Sequence, residues 1–110
     1  MTMPREDNLF AFLAAAQKTC DEAIKELQEP LRFLEEVDSL FVQFLPAMGG
    51  MKPLVAGMML VNAHASLRAA IRLAITGQLL PAYMALRGSI ESALYGNAMV
   101  VNPALAQVWL

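Results

Sequence analysis

One cysteine, one histidine and one tryptophan in 110 residues leave little material for chemistry. Cys20 has no second thiol with which to form an intramolecular disulfide or an all-thiolate zinc site. Its spacing puts it on an apolar helix face, as a small packed residue. No HExxH, GxSxG or EF-hand pattern occurs, and no glycine-rich phosphate loop or other cofactor motif. His64 therefore reads as a packed histidine rather than a general base or metal ligand. Charge is scarce as well: 16% of residues are charged, against about 25% in an average soluble domain. The net charge of -2 excludes the strongly basic surface of a non-specific nucleic-acid binder. The opening residues MTMPREDNLF lack the basic start of a secretory signal, so a cytoplasmic location is expected.

What is abundant is apolar surface. Hydrophobic residues make up 57% of the chain and mean hydropathy is +0.47. The two halves differ in charge: residues 1–52 hold five basic and nine acidic side chains, residues 53–110 three basic and one acidic. A chain of this size is one domain, here 1–110, standing alone or as the N-terminal part of a longer protein. Its excess of apolar residues calls for a partner.

The organising stretch is Pro53 to Val101. It reads as two long helices, Pro53 to Thr76 and about Gln78 to Val101, folding back at Gly77 as an antiparallel hairpin. Four of its residues are charged: Arg68, Arg72, Arg87 and Glu91. A helix apolar on every side needs cover, so the hairpin is the expected core. Arg68 and Arg72 argue against a membrane span there. The uncharged run from Ser92 to Leu110 is broken by Gly96, Asn97, Asn102 and Pro103, which argues against one there too. The cover is supplied by two amphipathic helices. Arg5 to Glu29 carries a heptad seam of Leu9, Leu13, Ala16, Cys20, Ala23 and Leu27. Pro30 opens a second, Leu31 to Leu45, with Leu34, Val37, Leu40, Phe41, Phe44 and Leu45 on its apolar face. All five phenylalanines fall in these two helices and are expected as core plates. Pro46 to Pro53, with two glycines and four neighbouring methionines, reads as a connection. Asn102 and Pro103 start a short last helix that ends on Val108, Trp109 and Leu110. The expected fold is an all-α, up-and-down antiparallel bundle of four main helices plus a short C-terminal helix.

Two polar stripes mark the hairpin. His64, Arg68 and Arg72 follow at steps of four on its first arm, and Tyr83, Arg87, Glu91 and Tyr95 on its second. Counting from the turn sets Arg68 level with residue 88 and His64 level with residue 92, so the stripes face one another if they share an azimuth. Adjacent arginines repel and need anionic partners. Three solutions are open: a network using Glu91 together with Glu35, Glu36 or Asp38; an exogenous anion such as an RNA phosphate; or a subunit interface. Small residues recur every four positions at Gly88, Ser92 and Gly96, where backbones can approach closely. With Trp109 these are the candidate interface residues, and the expected assembly is a homodimer or a complex with a protein partner.

The run from Gly77 to Tyr95, with Leu86-Arg87 and Glu91 in its second helix and Asn102-Pro103 beyond, resembles the helical-hairpin segment of uncharacterised bacterial proteins related to the HEPN superfamily (higher eukaryotes and prokaryotes nucleotide-binding). The resemblance covers about residues 58 to 110. It implies an all-helical, often dimeric bundle in a superfamily that includes ribonucleases of toxin and antiviral systems. Catalytic members carry an arginine five to seven positions before a histidine. Here Gly57, Met58 and Met59 stand at those positions before His64, so the resemblance transfers fold and dimerisation but no nuclease residues.

Overall fold

A computed structural model describes residues 7–48 and 52–109, without the side chains of Ala47, Met48, Val108 and Trp109. The fold is an all-α bundle of four main helices: α1 (Leu9–Glu26), α2 (Gln28–Met48), α3 (Leu54–Ile75) and α4 (Leu79–Val101). A short 3-10 helix, Pro103–Trp109, follows them. No strand occurs among the described residues.

The α3–α4 hairpin is the best-packed part of the molecule, and its turn explains why. Gly77 adopts φ 86°, a left-handed conformation that glycine enters without steric cost. Its N–H donates to Ala74 O, and the N–H of Gln78 donates to Leu73 O. This is the paired arrangement of a Schellman cap, which satisfies the last carbonyls of α3 and reverses the chain. Pro81 lies in the first turn of α4, where its missing N–H leaves no helical bond unmade. Along the hairpin, buried Ser89 donates its hydroxyl to Ala63 O at 2.6 Å, and Asn62 Nδ2 donates to Ser92 Oγ at 2.9 Å. Ser92 is thus level with Asn62, two residues from the His64 level expected by counting.

At the base of the hairpin the 3-10 helix folds back so that Ala106 joins Ala56 and Met99 in a buried cluster, flanked by Val55 and Met59. The expected start at Asn102 and Pro103 holds, as a 3-10 rather than an α turn, with Leu105 N–H donating to Asn102 O.

The first two helices are arranged differently from a simple wrap. Asn8 caps α1 by accepting from the N–H of Ala11, so α1 begins at Leu9 rather than Arg5. It ends at Glu26, and the single residue Leu27 leads into α2, where Leu31 N–H already donates to Leu27 O. α2 runs antiparallel to α3, with Leu31 and Leu34 near Ile71 and Phe41 against His64. α1 does not continue that line: Thr19 lies beside Gly77 and Cys20 beside Arg72, so α1 crosses the turn end of α3. The molecule measures 63 × 31 × 19 Å. Pro46 sits in the last turn of α2 instead of the expected connection. Gly49, Gly50 and Met51 lie outside the described residues.

This arrangement leaves most of the expected core plates uncovered. Phe10 is 81% exposed, and Phe12, Phe33 and Phe44 are exposed too. Leu9, Leu13 and Leu27 of the α1 seam are likewise exposed, and Cys20 is the one seam residue that is fully buried. The periodicity identified faces that need burial, but the single chain leaves most of their large side chains exposed.

The two glycines of α4 separate by their surroundings. A Cβ at Gly96 would lie 3.0 Å from Leu60 Cγ and 3.1 Å from Ala56 O, whereas one at Gly88 meets nothing within 4 Å. Gly96→Ala should lower stability by about 1–3 kcal/mol because the Ala56 backbone cannot yield. Gly88→Ala should raise it by about 0.5–1 kcal/mol through improved helix propensity. Thermal denaturation of the two variants should move in opposite directions from the wild type.

Candidate functional site

His64 and Arg68 of α3 turn toward α2, not α4. Asp38 of α2 is the hub. Its Oδ1 accepts from His64 Nε2 at 2.7 Å and from Arg68 Nε at 2.8 Å, while Oδ2 accepts from Arg68 Nη2 at 2.9 Å. The arginine thus grips the carboxylate with two parallel bonds, the strongest geometry open to this pair. His64 is buried, and its ring stacks on Phe41 at 5.1 Å between centroids. The Arg68 side chain is 58% exposed and Asp38 23%, so the pair lies at the rim of the α2–α3 seam. The Arg68 guanidinium holds the Asp38 carboxyl down to about 2, with the His64 hydrogen bond adding to that effect against the opposing cost of burial. In return Asp38 raises the already high pKa of Arg68.

The other members of the stripes lie apart. Arg72 is exposed, and its Nη1 stands 3.9 Å from Cys20 Sγ, tying α1 loosely to α3. Arg87 Nε donates to Glu91 Oε1 at 3.0 Å on the outer face of α4. Tyr83 and Tyr95 are exposed on α4. The triplet of Arg68, Arg87 and Glu91 is therefore split into two separate ion pairs on different helices. Counting placed residues along the hairpin to within two positions, but not around it, since four-residue steps fix no absolute azimuth. Among the proposed interface residues, Ser92 and Gly96 are consumed inside the hairpin and Gly88 lies open beside it. The side chain of Trp109 lies outside the described residues.

Two cavities accompany these contacts. One, of about 270 Å³, opens beside Asp38 and Arg68 and is otherwise lined by Leu31, Leu34, Glu35 and Ile71. The other, of about 260 Å³, is an apolar groove between α2 and α4, floored by Leu67, Ala70, Ile71 and Ala74 of α3. Neither brings together a nucleophile and a base. No cluster of three or more potential metal ligands occurs among the described residues.

A second surface escaped the sequence reading. On α4, Leu80, Tyr83, Arg87, Ile90, Leu94, Asn97 and Val101 recur at alternating steps of three and four, the spacing of a heptad seam, and every one of them is exposed. The inner side of the same helix, Ala82, Ser89, Ser92, Gly96 and Met99, is buried on α3. Because α4 is apolar all round, the outer seam did not stand out from the inner one in the sequence. The spacing around Arg87 was the signal that distinguishes it.

No family model, curated protein or solved structure matches this chain. Its site is therefore read from geometry alone. Among the described helices, Leu54–Ile75 is long and apolar enough in composition to cross a membrane, but it carries the Asp38-bound Arg68 and buried His64 at mid-length.

The depressed Asp38 carboxyl fixes a pH dependence. Its contribution to stability is complete above the ordinary value of 3.8 and disappears as pH falls from there through about 2, because only the unfolded chain then gains a proton readily. Asp38→Asn should cost about 1–3 kcal/mol at neutral pH by stranding its two partners. The stability gap between wild type and variant, measured by urea denaturation, should narrow across that acid window.

Proposed function

We propose that this chain is a non-enzymatic, HEPN-like helical module of the bacterial cytoplasm whose role is association, first with a second copy of itself and through it with other proteins. The observation that carries this reading is surface area. The chain exposes 7941 Å², about 1,900 Å² more than the roughly 6,000 Å² expected of a compact monomer of its 12.0 kDa mass. Its radius of gyration is 17.9 Å, against about 13 Å for a compact chain of this length. A stable interface needs about 800 Å² from each partner, so the surplus is ample for a dimer. Its chemistry agrees: phenylalanine, leucine, isoleucine, methionine and tyrosine side chains stand exposed on α1, α2 and α4. Large apolar side chains exposed in such number along helix faces support an interaction surface.

The alternative, an RNA- or anion-binding module, draws support from the exposed Arg72 guanidinium. It has less behind it, because Asp38 and Glu91 already engage Arg68 and Arg87. Absence of RNA retention at low salt removes it.

Light scattering coupled to size-exclusion chromatography tests the main reading. A mass of about 24 kDa, twice the chain mass, is expected at micromolar concentration, where interfaces of this class are populated. A monodisperse species of single-chain mass across the accessible concentration range contradicts it.

A further inference from the structure

The charge pattern along the outer seam of α4 is complementary to itself turned around. Arg87 and Glu91 are the charged residues of the whole helix: Arg87 sits at the middle of the apolar stripe formed by Leu80, Tyr83, Ile90 and Leu94, and Glu91 lies on its flank. Leu80 is 71% exposed and Ile90 52%. A charged pair in that setting is costly if the stripe is buried against an apolar partner, and an all-positive or all-negative partner satisfies one member while repelling the other. A second α4 laid antiparallel, with a two-fold axis level with residues 88 and 89, satisfies both at once. Arg87 then lies within one residue of the level of Glu91 of the other copy, close enough for the long guanidinium side chain to reach it, twice over.

The same axis places the rest of the stripe in register. Antiparallel heptad seams interlock when residues at opposed levels alternate between the two seam positions. With the axis there, Tyr83 falls level with Leu94 of the second copy, Arg87 with Ile90, and Leu80 with Asn97. The overlap runs nearly the whole of the 23-residue helix. Helix α3 does not obstruct it, since the seam points away from the face of α4 that is buried on α3, while at the start of α4 the seam residue Tyr83 borders the groove shared with Leu34 of α2.

We infer that the occupant of the outer α4 seam is α4 of a second copy of this chain, packed antiparallel about a two-fold axis and pinned in register by reciprocal Arg87–Glu91 pairs. This rests on the self-association proposed above and specifies its surface. The seam supplies an isologous contact, in which each residue's partner finds it in return, as a closed dimer requires. The intrachain Arg87–Glu91 bond at 3.0 Å becomes one edge of a four-membered network across the axis.

The test uses two charge reversals and their mixture. Arg87→Glu makes the centre of the seam doubly acidic, and Glu91→Arg makes it doubly basic. Each variant alone should dissociate at least about tenfold more readily than wild type, because like charges are set opposite one another at the axis. Both positions are solvent-facing in the single chain, and unchanged circular dichroism confirms that the variants fold. Mixed in equal amounts, they should recover a species of about twice the chain mass at wild-type concentrations, with one copy of each, as read by native mass spectrometry. The intrachain pair is absent from both variants, so it cannot produce this recovery. A dimeric wild type whose variants dimerise equally well, or whose mixture stays monomeric, overturns the α4 pairing while leaving self-association intact. A monomeric wild type overturns both.

Discussion

The rest of the molecule depends on how closely α3 and α4 approach each other. Small side chains make that approach possible: Gly96 against Leu60 and the Ala56 carbonyl, and Ser89 reaching the Ala63 carbonyl. A hydroxyl that bonds a backbone carbonyl inside an apolar seam exchanges a hydration shell for a directional contact, which fixes the register of two otherwise featureless helices. The Gly77 cap does the same at the turn. Register and turn together leave α4 with one face committed inward and the opposite face unused.

α3 then meets a geometric limit. It is covered by α4 on one side and by α2 on another, and the groove between them stays open. α2 is attached through few strong contacts, of which Asp38 with His64 and Arg68 is the main one. A carboxylate held by a buried imidazole and a forked guanidinium positions α2 as much as it stabilises it, because the paired bonds restrict rotation and sliding. What results is an elongated, thin arrangement of helices with apolar side chains outside as well as in. Burial of such surface by a second copy lowers free energy at about 25 cal/mol per Å² before the costs of association are taken.

The sequence and the structure agree where local chemistry decides. Helix type, the reversal at Gly77 and the restart at Pro103 all follow from glycine, proline and capping preferences, and each was legible. The break between α1 and α2 was not, because the one non-helical residue there, Leu27, carries no turn signature. Nor was the azimuth of the arginine stripe. Whether His64 and Arg68 face α2 or α4 depends on tertiary packing, and Asp38 was one of three acidic candidates on α2. The phenylalanines show the same limit from another side: amphipathic spacing reports that a face prefers burial, not that this chain supplies what buries it.

If a second copy covers the apolar helix faces that a single copy leaves exposed, association must stabilise the fold by mass action. The urea denaturation midpoint, followed over about a hundredfold range of protein concentration, measures this directly. A midpoint that climbs steadily with concentration is expected, and a midpoint independent of concentration is incompatible with self-association of this kind.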